Sequence, residues 1–191
     1  MRLIEGIAAV DTDEPPAGAT EFPTLDAFIN RLQTIGDAHG CAVQAFDPEV
    51  VAGSAHLESA VEHANRSMAR GENVATDRAV EILCYAAGTR QIDVAVQRLG
   101  ISPGAGPVVL VVDGGALGVP RDEAPIGDPA GDEAGAAAAV DALLADGHAL
   151  ERADTAEIEA TFGIGPAERA ATTAGLEALV RERVALLDVE K

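Results

Sequence analysis

The 191-residue chain contains two cysteines, no tryptophan, five other aromatic residues and a single lysine, Lys191. Each shortage excludes something. Cys41 and Cys84 cannot build a disulfide framework; both sit in apolar runs and read as buried free thiols of a reducing cytosol. The four histidines, 39, 56, 63 and 148, are scattered, and no Cys/His group has metal-ligand spacing. His63 reads as a surface or core-edge histidine, and neither a metal nor another cofactor is expected. No apolar run reaches the roughly 18 residues of a membrane helix, and no signal-peptide core is visible, so the expectation is a cytoplasmic chain with no membrane partner. A nucleophile elbow, a P-loop and a dinucleotide fingerprint are also missing. Gly104-Ala105-Gly106 lacks the third glycine and precedes a strand instead of following one. The chain is therefore not expected to be an enzyme by itself.

What is abundant is acid. There are 32 acidic against 13 basic residues, a net charge of −19. Such a balance ordinarily argues against nucleic acid as a partner. Arginine in place of lysine, many small residues and acids spread through periodic segments fit a protein kept soluble in molar salt, where a Debye length of about 3 Å screens self-repulsion. A halophilic cell is the expected source. Hydrophobic content is 48% but aromatic content only 3%, so Ala and Gly must supply much of a closely packed core. At this length residues 1–191 are expected to form one domain.

Taken in order, Met1 to Val10 predicts a first strand and Asp11 to Glu21 a loop. Pro23-Thr24 opens a helix with an apolar face of Leu25, Phe28, Ile29, Leu32 and Ile35, closed by Gly36 or Gly40. Cys41 to Phe46 predicts a second strand. Val108 to Val112 is apolar on both faces and should lie centrally in a sheet. Residues 114–135 are rich in Gly, Pro, Ala and acids and read as a solvated insertion, with a mobile flap as the alternative. Ala136 to Ala145 predicts a short helix and His148 to Arg152 an edge strand. Asp154 to Glu157 has capping-box spacing, and Gly165-Pro166 opens a last helix with a Leu176, Val180, Val184, Leu187 stripe. Four short strands with six or seven helices make an α/β (α+β) domain with a small sheet.

The informative stretch is Ser54 to Ile101. It reads as three amphipathic helices joined by tight Gly-containing turns. The first carries Leu57, Ala60, Val61, Ala64 and Met68 at helical spacing, with Ser54 as N-cap. The second is apolar on two rows, leaving Asp77, Arg78, Glu81 and Tyr85 to face outward. The third shows Ile92, Ala95, Val96 and Leu99 on one face, with Val94 among polar residues on the other. Five arginines (66, 70, 78, 90 and 98) stand against four acids here, a local balance of +1, whereas Asp122 to Ala160 has eleven acids and one arginine. An anionic partner would dock on the helical stretch. The alternative is that each arginine pairs with a helix neighbour, as Arg66 with Glu62.

Gly88-Thr89-Arg90-Gln91 places a helix start, capped by Thr89, beside a guanidinium and an amide. Free N–H groups, the positive helix end and a planar fork suit phosphate or carboxylate. Equally, Gly88 is a simple C′ residue and Arg90 pairs with Glu81 or Asp93. A stand-alone enzyme or metabolite-binding protein using this anion site is the rival reading, with Glu81 as its general base.

These residues resemble a known family. Asn73, Glu81-Ile82-Leu83, Gly88-Thr89-Arg90-Gln91-Ile92 and Gly100-Ile101 are similar to the kinase-binding subunit of the KEOPS complex, the archaeal counterpart of the human PRPK-binding protein. Arg183 to Asp188 resembles the family's ending. The likeness covers about fifty residues plus this tail. It implies a largely antiparallel sheet and an adaptor that binds the kinase-like ATPase of KEOPS and, through it, the threonylcarbamoyl transferase subunit. It also implies capture of the single-stranded CCA 3′ end of tRNA. The expected tRNA contacts are Arg66, Arg70, Asn73, Arg90 and Gln91, on the arginine-bearing helices; the expected ATPase face is Val94, a solitary apolar residue on the polar side of the third helix, with Gln97 and Arg98.

Overall fold

The computed structural model describes residues 1–115 and 131–189. Among these are four strands in the order β2-β1-β4-β3. β1 (Arg2–Val10) and β3 (Ala42–Phe46) flank β4 (Gly104–Asp113) antiparallel, and the two-residue β2 (Glu21–Phe22) adds to β1 in parallel. The sheet is thus largely antiparallel. The apolar run Val108 to Val112 is central, as its two-sided hydrophobicity requires, and every residue in it is buried.

Period-two alternation sends the strands' side chains to two cores. On one face Val43, Ala45, Val108, Leu110 and Val112 pack under α1 (Leu25–His39) and α5 (Glu133–Asp141). On the other, Ala42, Phe46, Val109 and Val111 meet α2 (Ser54–Arg70), α3 (Arg78–Ala86), α4 (Ile92–Leu99), α6 (Thr155–Phe162) and α8 (Leu176–Leu186). Each Leu, Ile or Phe fully buried there contributes about 1.5–3 kcal/mol, enough in sum to offset a core short of aromatics.

Local chemistry explains the ends. Thr24 caps α1 by accepting from Ala27 N (3.1 Å), and Gly40 closes it at a φ of 64°. Gly6 is forced by close approach: the segment after α5 crosses β1 through Ile7 N→Ala145 O (2.9 Å), and a Cβ on Gly6 would stand 2.7 Å from Leu144 Cβ.

Four expectations are corrected. Residues 148–152 make no edge strand; among the described residues the isolated backbone bridge to the sheet is Ile7–Ala145, and Leu150–Arg152 is a 3₁₀ turn, because Glu5 Oε2 takes the amides of Ala149 and Leu150. Ser54 does not cap α2. Gly53 is the N-cap, and Glu177 from α8 supplies the missing acceptor to Ala55 N at 3.0 Å. The last helix is two, α7 (Pro166–Ala171) and α8, broken where Thr172 Oγ1 accepts from Ala174 N and Gly175 takes a φ of 85°. Finally α5 begins at Glu133, with Asp132 as its cap. Most of the Gly/Pro/acid-rich stretch placed at 114–135, namely 116–130, lies outside the described residues.

Candidate functional site

α2 and α3 run antiparallel, and the turn between them is built around one buried acid. Glu81 is 1% exposed, and its Oε2 accepts from Val74 N (3.0 Å) and Ala75 N (2.9 Å). Asn73 Nδ2 donates to Ala75 O at 2.8 Å and tightens the same turn. Asp77 then caps α3 through Ala79 N and Val80 N. Glu81 was expected to face outward; it is buried because its carboxylate replaces the partners that the turn amides lack.

α3 ends in a glycine-closed motif. Gly88 N donates to Tyr85 O and Thr89 N to Cys84 O, with Gly88 at a φ of 60°. The next helix starts at Ile92 with Gln91 at its N-cap position, two residues later than a Thr89 cap requires, so Thr89 does not cap it; Thr89 Oγ1 accepts from Gln91 N at 3.2 Å. Arg90 pairs with neither Glu81 nor Asp93. Its Nη2 crosses to Glu72 O at 3.0 Å and ties the α3–α4 turn to the α2–α3 turn. Asn73, Arg90 and Gln91 are thereby brought to one region, with Arg70 exposed on the last turn of α2 and making no hydrogen bond or ion pair among the described residues.

Arg66 does not pair with Glu62. It donates to Asp188 Oδ2 at 3.3 Å, where His63 Nδ1 also bonds at 2.7 Å and Tyr85 Oη donates to Oδ1 at 2.8 Å. The His63 and Tyr85 rings stack at 5.9 Å. Burial pushes the Tyr85 phenol up to about 12, with the Asp188 carboxylate adding to the rise, so Tyr85 stays a donor. Tyr85, expected outward, is 2% exposed. Tyr85, His63 and Asp188 were missed as a group. The signal was the solitary phenol on an apolar helix, which needs an acceptor when buried.

Arg78 is different. It gives Nη1 to Asp113 Oδ2 (3.1 Å) and Gly115 O (2.6 Å), and Nη2 to Asp113 O (2.6 Å). Asn65 Nδ2 adds a bond to Asp113 Oδ2 at 3.0 Å. Arg78 is therefore a fastening of the end of β4.

On α4, Ala95 and Leu99 are buried against α3, but Ile92 and Val96 are 41% and 50% exposed. The expected core face is split, since this eight-residue helix buries only a narrow stripe. Val94 is half-buried, Gln97 is exposed, and Arg98 is half-buried with Nη1 on Ala87 O at 3.0 Å.

The described residues contain no group of three or more His, Cys, Asp or Glu side chains able to hold a metal, and no helix among them is long and apolar enough to cross a membrane. His56 is buried between Ala52 N (3.2 Å) and Ala86 O (2.8 Å), and desolvation lowers it to about 4. It is a neutral structural bridge. No curated protein matches the chain. Residues 27–188, ending on the Asp188 that gathers Arg66, His63 and Tyr85, match the family model of the kinase binding protein CGI-121, and the chain belongs to that family.

Proposed function

We propose that this protein is a non-catalytic adaptor of a KEOPS complex acting in the threonylcarbamoylation of adenosine in tRNA. It would hold the kinase-like ATPase, through it meet the threonylcarbamoyl transferase subunit, and receive the tRNA 3′ CCA end. Family membership supports the kinase partner. The observation that carries the RNA reading is the unequal use of the five arginines: Arg78 is consumed inside the protein, whereas Arg66, Arg70, Arg90 and Arg98 lie at or near the surface, each making at most one bond to an oxygen.

In this reading Arg66, Arg70 and Arg90 give charge-assisted bonds, and Asn73 and Gln91 give amide contacts. Net charge provides no long-range attraction, so few phosphates are neutralised. The log–log salt slope should be shallow, roughly −1 to −3, at about −0.7 per phosphate for single strands. The deciding measurement is tRNA binding in molar KCl with and without the terminal CCA. Arg90→Ala should lose about 1.5–3 kcal/mol, roughly ten- to over a hundred-fold in affinity. Arg152→Ala, exposed in the acidic half, should change almost nothing. Equal losses, or indifference to the CCA end, would remove the site from these helices.

The ATPase is assigned to the outer surface of α4, with Val94, Gln97 and Arg98 joined by Ile92 and Val96. The exposed Ile92/Val96 row supports this, since an i, i+4 apolar pair in water has no folding role. Val96→Asp should leave the melting temperature nearly unchanged and weaken the complex at least about ten-fold, read by calorimetry against the ATPase. Val94→Asp tests the opposite flank. A full-strength complex with both variants would move the docking surface elsewhere. The rival enzyme reading loses its base: Glu81 is buried, and its Oε2 is engaged by two turn amides.

A further inference from the structure

Among the described residues β3 stands at the end of the sheet and pairs with β4 alone. Its sequence, Ala42-Val43-Gln44-Ala45-Phe46, contains no charge and no proline, the usual protections of an exposed strand edge. α1 passes over one face of this edge and the start of α3 over the other. The space between them is a groove of about 330 Å³ along Cys41 to Ala45, walled by Ile29 and Gly36 of α1 and by Thr76 to Val80. Ile29 belongs by periodicity to the core face of α1, yet it is 40% exposed and lines the groove. Gln44 Nε2 folds back to its neighbour Ala45 O at 2.8 Å, so a side chain and not a described strand meets that carbonyl. Two exposed carboxylates, Asp37 and Asp77, line the same groove; Asp37 has no ion pair among the described residues. Arg78 also lines it, but its guanidinium is committed to Asp113 and Gly115.

We infer that this groove takes an extended, basic peptide segment of a partner protein, which adds to β3 as a further strand. Main-chain bonds to the open edge give the affinity, and alternate side chains fill the space beside Ile29 and Val80. A Lys or Arg between them meets Asp37 and Asp77. A second copy of this chain fits poorly, because pairing two β3 edges would bring the Asp37 and Asp77 of one molecule close to those of the other, like charges near contact distance. The inference is independent of the α4 docking surface and of the arginine-bearing turns.

Selection of random heptapeptides against the full-length chain in molar KCl tests it. The enriched peptides should alternate apolar with Lys or Arg residues, and binding should slow amide exchange across Ala42 to Phe46. N-methylation of alternate peptide nitrogens should abolish binding. Ile29→Lys, at a position 40% exposed, should weaken it roughly ten-fold, with the variant's melting temperature measured alongside, and Asp37→Asn should weaken it less. The idea is overturned if no peptide is preferred over an Ile29→Lys counter-selection, or if the consensus is acidic. Binding that survives N-methylation would also overturn it, as would a concentration-dependent dimer dissolved by Ile29→Lys, which would give the edge to a second copy.

Discussion

Asp113 and Asp188 each receive a guanidinium from the α2–α3 pair, Asp113 inside the protein and Asp188 at its rim. The side chains of Asp113 and Arg78 are 3% and 9% exposed; those of Asp188 and Arg66 are 18% and 38% exposed. Arg78 makes three bonds to its surroundings and Asp113 accepts from Asn65 as well. Arg66 makes one bond of 3.3 Å to a carboxylate that His63 and Tyr85 already satisfy. The first pair has left water and depends on every partner. The second closes the C-terminal segment onto α2 and α3, and its arginine can change partner without leaving a buried charge behind. Two arginines twelve positions apart thus do different work, and burial together with the number of bonds each makes separates them.

The sharpest way to break this contrast is at Asp113. Asp113→Ala leaves Arg78 charged and enclosed, so it should cost about 3–5 kcal/mol of stability. Denaturant unfolding in molar KCl measures it. A loss below about 1 kcal/mol would mean that water reaches Arg78 and that the two carboxylates are alike.

Acidification would be another way to compare them, but His56 acts as well. Its folded value is about 4 against 6.5 when unfolded. As pH falls the unfolded chain binds this proton first, so the contribution is complete above pH 6.5 and shrinks toward pH 4. At about 1.36 kcal/mol per unit, roughly 3 kcal/mol is lost over that window. A pH series of unfolding curves should show this slope, and His56→Gln should flatten it. An unchanged slope would assign the acid limb to the carboxylates.

The same distinction explains what was legible in the sequence. β1, β3, both ends of α1, the start of α6 and the central run at Val108 to Val112 follow from local rules: a Thr or Asp cap, a closing glycine, a two-sided apolar run. The polar interior does not. Tyr85 and Asp188 are 103 positions apart, and Glu177 caps a helix 122 positions before it, so no spacing in the chain announces either contact. Glu81 and Tyr85 look like the polar side of α3, since a sequence shows polarity and not the amide or carboxylate that will meet it. The Ile92/Val96 row fails for the converse reason: periodicity predicts an apolar stripe, but only packing decides how much of it is covered. The arginine surplus was readable, but which arginine stays available was not.

Arg66 offers the smallest stability effect and the finest test of the comparison. Removing it takes away one long bond at the rim, while His63 and Tyr85 still hold Asp188 in place. Exposed ion pairs contribute about 0–1 kcal/mol, less in molar salt, so Arg66→Ala should unfold within about 1 kcal/mol of the parent chain. If the arginine is free to exchange Asp188 for a phosphate, the same substitution should nonetheless lower affinity for the tRNA 3′ end several-fold. Arg66→Lys should restore only part of it, because an ammonium lacks the planar fork. Stability and binding measured on one preparation separate the outcomes. A large stability loss would make Arg66 a second Arg78. Unchanged stability with unchanged RNA affinity would leave Arg66 as a surface pair and confine the RNA contacts to Arg70, Asn73, Arg90 and Gln91.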